Sequence, residues 1–417
     1  MKSAPDIITL GCRLNAAESS AMRELAAAAN LSDAVIINSC AVTNEAVRAT
    51  RQSIRKQRRE NPNARIVVTG CAAQIDADAF AKMPEVDNVI GNAEKLEADT
   101  WRDISATDDT AMRVNDIMSV RAHAGHMVQS FGERSRAFLE VQNGCDHRCT
   151  FCIIPYGRGN SRSVPVDVVI ERANRLVESG FREVVLTGVD ISSYGPDLAE
   201  DLTLGKLVAA ILDNTPDLFR LRLSSIDGAE IDDQLFDLVT GDQRIAPYLH
   251  LSVQAGDNMI LKRMKRRHSR EMAIELCQTM REKRPDIAFG ADIIAGFPTE
   301  TDDMFKRSLN LIDEAGLQFV HAFPFSPRDG TPAARMPQLE RSIVKERAAR
   351  LRAKGEAALH KFLDDLEGRT ETAIVESGGC ARLGNFAVAK LSQNDLEAGS
   401  VAKLNIGRRQ GDMVLAS

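Results

Sequence analysis

A chain of 417 residues is too long for one ordinary domain and points to two or three; with 44% hydrophobic and 27% charged residues it can bury real cores and stay in solution. The net charge of −6 argues against indiscriminate polyanion binding, although local basic faces govern nucleic-acid contacts more than the total does. No apolar run reaches membrane-spanning length, and MKSAPDIITL lacks the charged and apolar regions of a secretory signal, so the expected location is cytoplasmic, without a membrane partner.

The first hundred residues alternate β-like and helical patterns. Residues 7–10, 34–38 and 65–69 read as buried strands, and 16–29 and 45–60 as helices. That βαβαβ order implies a small parallel sheet covered by helices in a domain over 1–100. Residues 101–130 are weakly patterned and are expected to be a linker. Candidate strands then recur at 138–142, 183–187, 219–224, 248–253, 289–295 and 319–325, with helical stretches such as 166–179, 231–239 and 302–315 between them. Six β/α units fall short of the eight of a full barrel, so a partial, open (βα)6 barrel is expected within 131–366. That span ends in a charged helix at 341–366. From 367 to 417 the pattern changes to short runs at 372–376, 386–391, 401–406 and 413–415, punctuated by glycines, which predicts a small β-barrel.

Six of the eight cysteines fall into two groups. In a large chain expected in the cytosol such thiols stay reduced, so grouping points to metal or catalysis rather than disulfides. Cys145, Cys149 and Cys152 follow the first barrel strand with C-x3-C-x2-C spacing, in QNGCDHRCTFCIIPYGRG. Three thiolates on one tight loop hold three irons of a cubane cluster and leave the fourth open to a chelating substrate such as S-adenosylmethionine (SAM). The alternative is a zinc loop, which wants four N or S ligands; His147 would be the fourth, awkwardly placed in so short a span. Cys12, Cys40 and Cys71 each sit just past a predicted strand, in ITLGC, IINSC and VTGC. Strand C-terminal ends in an open α/β sheet face one crevice, so three thiols meet there by topology. The alternative is three small buried core residues, which is the reading for Cys277 and Cys380.

These motifs, from TLGCRLNAAES, INSCAVTNEA and VTGCAAQ through LTGVDISSYG, LRLSSID, LHLSVQAGDNMILKRM and DIIAGFPTET to FPFSPRDGTPAARM, resemble the radical-SAM methylthiotransferases over essentially the whole chain. The resemblance implies two [4Fe-4S] clusters and SAM as cofactors. Cys145, Cys149 and Cys152 would hold the SAM-cleaving cluster, and Cys12, Cys40 and Cys71 the auxiliary one that supplies or holds sulfur. It implies a transferase that inserts a methylthio group at an unactivated carbon, using a 5′-deoxyadenosyl radical from SAM. It also implies a TRAM-like identity for the C-terminal barrel and a separate electron donor as partner. Three substrate classes compete within the family: threonylcarbamoyladenosine in tRNA, isopentenyladenosine in tRNA, and an aspartate of a ribosomal protein. CIIPYGRGNSRS is most similar to the first class, whose product is C2-methylthiolated adenosine beside the anticodon. Gly-Val-Asp-Ile at 188–191 departs from the second class, and DISSYGPD keeps the third open. Ala255 and Thr299 depart from a usual Ser and Gly, which touches the finer SAM contacts.

Further candidates lie at predicted strand ends. The carbonyl of Thr187 or Gly188 is a candidate for the SAM amino group, and Ser224, Ser225 and Gln254 for its ribose or carboxylate; a cap or loop hydrogen bond is the alternative for each. Arg158 and Arg162 are candidates for phosphate or SAM carboxylate, with solvated surface arginine as the alternative. Arg48, Arg51, Arg55 and Arg59 share one helical face, and KRMKRRHSR at 262–270 is a second basic run; each is a candidate phosphate track for a tRNA or a solvated face. In the last segment, Arg382, Lys390, Lys403, Arg408 and Arg409 supply the charge. A rival of another class is a non-catalytic iron–sulfur RNA-binding protein, which would bind iron and tRNA without cleaving SAM.

Overall fold

The computed structural model of the protein describes residues 5–107, 111–121, 135–199, 201–392 and 395–417. The chain divides into two compact units, one of Met1–Gly132, Gln142–Val164 and Ser326–Thr331, the other of Glu133–Val141, Pro165–Phe325 and Pro332–Ser417.

The first unit is built on five parallel strands in sequence order: β1 (Asp6–Thr9), β2 (Ala34–Ser39), β3 (Arg65–Gly70), β4 (Asn88–Ile90) and β5 (Ala111–Arg113). Every residue of β2 is buried, as a central parallel strand covered on both faces requires. Its side chains alternate between two cores: Val35 and Ile37 join Ile54, Ile66, Val68 and Phe80, while Ala34 and Ile36 join Met22, Val67 and Trp101. The expected linker differs from what is observed. Helix Ala98–Ala106 brings Trp101 and Ile104 into the core, and β5 adds a fifth strand. A three-residue edge strand is too short to display periodicity, which explains why the sequence pattern hides it. Residues 108–110 and 122–130 of that expected linker, and 131–134 of the expected barrel segment, lie outside the described residues.

The second unit contains the partial barrel. Ala137–Glu140, Glu183–Thr187 and Arg220–Leu223 form one parallel sheet; Ser225–Ile226, Tyr248–Gln254, Ala288–Ala295 and Phe319–Pro324 form another. The expected strand at 219–224 is observed as Arg220–Leu223, paired with Glu183–Thr187; beyond Ser224 a separate short strand, Ser225–Ile226, pairs with Tyr248–Gln254 in the other sheet. A closed five-stranded barrel ends the chain and includes Cys380–Leu383, a short strand beside the Gly378–Gly379 turn that the pattern did not separate. Among the described residues no helix is long and apolar enough to cross a membrane.

A buried ion cluster joins the two barrels of this unit. Glu183 is fully buried; Arg222 donates to it from Nε at 2.8 Å and Nη2 at 3.1 Å, and Arg220 from Nη1 at 3.4 Å. The same arginines reach the C-terminal barrel: Arg222 donates to the Leu383 and Gly384 carbonyls, Arg220 to that of Thr372, and Arg136 pairs with Glu376 at 2.8 Å. Tyr248 stacks on Phe386 at 4.5 Å beside them. Burial opposes ionisation of Glu183, but the arginines, Arg222 foremost, overcome it and hold the carboxyl at about 2. Because that lies below the ordinary carboxylate value, the stabilisation is complete above the ordinary value and lost as pH falls towards about 2. Glu183→Ala leaves Arg222 buried without its anion and is expected to cost about 3–5 kcal/mol in denaturant unfolding; a cost under about 1 kcal/mol would show that the carbonyls alone satisfy the arginines.

Candidate active site

The three N-terminal cysteines occupy equivalent places on adjacent strands. Cys12 caps helix Arg13–Ala28 just after β1, Cys40 follows β2, and Cys71 opens the short helix that follows β3. Parallel pairing of β1 with β2 and β2 with β3 gathers them at one sheet edge. The backbone there is close: Gly11 has φ +102, and a Cβ on it would stand 2.9 Å from the Cys40 sulfur. All three thiols are free. Cys12 is accessible to solvent while Cys40 and Cys71 are buried. Desolvation pushes the Cys12 thiol up despite Arg158 nearby, and pushes that of Cys40 up to about 11, with the neighbouring thiols adding to both. Without a metal, then, Cys12 and Cys40 favour the neutral thiol; a bound metal would supply the charge that makes them thiolates.

The second trio sits on a loop closed at its base. Gln142–Asn143 pairs antiparallel with Arg162–Ser163, and the Gln142 side-chain amide donates to the Gly144 carbonyl (2.7 Å) and to Ser161 Oγ (2.9 Å). The Cys145 N–H donates to the Gly159 carbonyl and the Cys152 N–H to that of Cys149, each at 3.0 Å. Arg148 spans the loop, donating to the Cys145 carbonyl at 2.8 Å and to Asn160 Oδ1 at 2.9 Å. Gly144 has φ +76, and a Cβ on it would lie 1.8 Å from the Asn160 carbonyl oxygen, so only glycine fits. This loop belongs to the same compact unit as Cys12, Cys40 and Cys71.

Arg158 and Arg162 are neither solvated nor free for an anionic ligand. Arg158 is 2% exposed, with Nε 3.0 Å from the Cys71 sulfur and its fork on Glu18 and Asn15. Arg162 donates to the carbonyls of Asn160 and Arg158. The sequence hides this because Glu18, Lys95 and Asn92, the partners around Arg158, are remote along the chain. Arg328, whose partner is Asn44, is a further cation close enough to Cys40 to interact with it, and it too escaped the sequence reading.

In the second unit Thr187 and Gln254 end barrel strands, Gly188 and Ser224 follow strand ends directly, and Ser225 opens the short strand Ser225–Ile226. Thr187 is buried and its carbonyl accepts the Val141 N–H at 3.0 Å; the Ser224 N–H donates to the Leu186 carbonyl at 3.0 Å. Ser225 is exposed. Gln254 has φ +69, an uncommon backbone state for a non-glycine residue that often marks functional strand ends. Thr299 has φ +68, which explains why the resembling family places glycine there. Within the 262–270 run, Arg266 bonds Asp227 at 2.9 Å, His268 is buried against the Val253 carbonyl and Arg270 pairs with Glu314 at 2.7 Å, while Lys262, Lys265 and Arg267 are exposed. On helix Asn44–Glu60, Arg48, Arg55 and Arg59 are exposed. Arg48, Arg51 and Arg55 pair with Glu45, Asp76 and Glu85, and Arg51 also lies over the Phe80 ring, 5.6 Å from its centroid. Such pairs hold a side chain weakly and leave it available to other anions.

Residues 139–312 match the Radical SAM superfamily, and residues 5–91 match a family described as Uncharacterized protein family UPF0004. The chain is 49% identical over 98% of its length, and 96% of the relative's, to the threonylcarbamoyladenosine tRNA methylthiotransferase MtaB of Rickettsia prowazekii. The chain belongs to the radical-SAM methylthiotransferases. It is 34% identical to the relative of the same name in Bacillus subtilis, over 88% of this chain and 84% of that one. In fold it is similar to the radical S-adenosylmethionine methyltransferase TsrM of Kitasatospora setae, with TM-score 0.55 and 14% identity over 78% of this chain and 75% of that one.

Radical-SAM methylthiotransferases work with SAM and two four-iron clusters, and the donor sets here fit that pair. A tetrahedral zinc wants four N or S ligands. Cys12, Cys40 and Cys71 bring three thiols close enough to interact with one another, the number that holds three irons of a cubane, one thiolate to each. Gly144→Ala is expected to break the turn that sets Cys145 and to leave about four of about eight irons per chain after anaerobic reconstitution. Full iron content in this variant would mean that the turn does not position the loop's ligands.

Proposed function

We propose that this protein methylthiolates C2 of threonylcarbamoyladenosine in tRNA, beside the anticodon, with Cys145, Cys149 and Cys152 holding the SAM-cleaving cluster and Cys12, Cys40 and Cys71 the auxiliary one. The observation that carries the reading is the whole-length likeness to the Rickettsia relative of that name, joined to two separate three-thiolate sets. Three protein ligands per cluster leave one iron of each without a protein donor. When bound, the clusters and SAM supply the sulfur and a radical able to take hydrogen from an unactivated C–H bond. What the chain does is hold and orient. The pinned loop fixes three thiolates, Arg148 ties its two sides, and Gln142 satisfies the carbonyl beneath Cys145. Thr187, Gly188, Ser224, Ser225 and Gln254 are assigned to SAM contacts in this reading; for Thr187, Gly188, Ser224 and Gln254 the support is their place at or just past parallel-strand C-terminal ends, where such barrels bind ligands.

The exposed face of Arg48, Arg51, Arg55 and Arg59 is assigned to tRNA phosphates, since loosely paired surface arginines exchange partners easily. The proposal keeps the cluster domain at 1–100, the radical-SAM core at 131–366 and the TRAM-like domain at 367–417, and gives the helix and β5 of the intervening 101–130 segment to the first unit. It places the enzyme in the cytoplasm with a separate one-electron donor. Mass spectrometry of tRNA nucleosides from cells lacking the gene tests the substrate. Loss of the methylthio-threonylcarbamoyl nucleoside, restored by the wild-type gene, is expected. Loss of only the isopentenyl analogue, or of neither, overturns the assignment.

A further inference from the structure

Arg158 stands six residues beyond Cys152, at the end of the short helix Ile154–Arg158, yet its side chain reaches the other cysteine set. Its Nε lies 3.0 Å from the Cys71 sulfur. Its fork is held by Glu18, with Nη2 at 2.9 Å from Oε2, and by Asn15 Oδ1 at 2.5 Å. Glu18 also accepts from Lys95 Nζ at 2.6 Å, and Lys95 donates to Asn92 Oδ1 at 2.7 Å. Asn92 closes the ring by donating to the Gly157 carbonyl at 2.5 Å. Gly157 itself lies against Cys71: a Cβ on it would come within 3.2 Å of the Cys71 Cβ. All of these partners lie within one compact unit.

Glu18 and Lys95 are wholly buried, and the single carboxylate of Glu18, shared by Lys95 and Arg158, leaves the Arg158 Nε directed at the Cys71 sulfur. A cluster-bound thiolate at Cys71 would be the anion that this N–H meets. We propose that Arg158 is a positioning residue that serves both cysteine sets: it donates an N–H···S hydrogen bond to the auxiliary cluster's Cys71 while anchoring the loop that carries Cys145, Cys149 and Cys152. Hydrogen bonds to cluster sulfurs and local positive charge favour the reduced, more negative cluster and so raise its potential. This inference rests on the ligand assignment made under the proposed function.

The test is an EPR-monitored redox titration of the full, anaerobically reconstituted chain, following the cluster whose signal does not respond to added SAM. In Arg158→Gln its midpoint is expected to move negative, so that at a fixed potential the ratio of reduced to oxidised cluster falls about tenfold, which for one electron is about 59 mV. Arg158→Lys, which keeps the charge but not the fork, is expected to lie between the two. If Arg158→Gln does not fold, the Lys variant decides by the same shift. Both clusters present with a wild-type potential in the variants would overturn the role of Arg158 and leave the ligand assignment standing. A chain in which Cys12, Cys40 and Cys71 can be replaced by Ala without loss of iron would instead overturn the assignment and this inference with it.

Discussion

The arrangement of the two cysteine sets depends on one buried ion cluster, in which Arg158 and Lys95 share Glu18 beside the Cys71 sulfur. Burial opposes the charge of Glu18, and the two cations, Arg158 foremost, more than offset it, so its carboxyl stays well below the usual range. Removing a member would leave an unpaired charge inside the protein, so the cluster is held as a unit. Its members come from four places: helix Arg13–Ala28, the turn after β4, β3's following helix and the segment after the cysteine loop. Each is thereby registered against the others.

A second constraint is the direction of the strands. Three parallel strands must all end on the same side, so a cysteine placed after each arrives at one edge without any local motif. The Cys145 loop follows the opposite principle: its geometry is local, made by a two-residue antiparallel pair, a left-handed glycine and side chains that satisfy its carbonyls. One set is positioned by topology and the other by a turn. Substitutions in the sheet therefore threaten the first set, and substitutions at the loop's base threaten the second.

Legibility in the sequence followed the same division. The strand-end cysteines and the C-x3-C-x2-C loop were readable because period and spacing are local signals. β5 was not, being three residues long at an edge, and neither was the break at Ser224, which comes from pairing rather than pattern. Arg158 read as a ligand-binding or surface arginine because nothing near it in sequence announces Glu18 or Cys71. The 262–270 run looked like a basic track, whereas Asp227 and Glu314, distant in sequence, take up Arg266 and Arg270. Charge runs reveal composition, and only the fold reveals which charges are already paired.

The central claim is that the chain carries two cubane clusters, each with one iron lacking a protein ligand, and that only one of them takes SAM. Mössbauer spectroscopy of the chain reconstituted with iron-57, with and without SAM, tests it most directly. The account predicts about eight irons in two four-iron clusters, with SAM changing the parameters of about one iron in one cluster. A single cluster, a SAM response spread over both, or no response at all would contradict it.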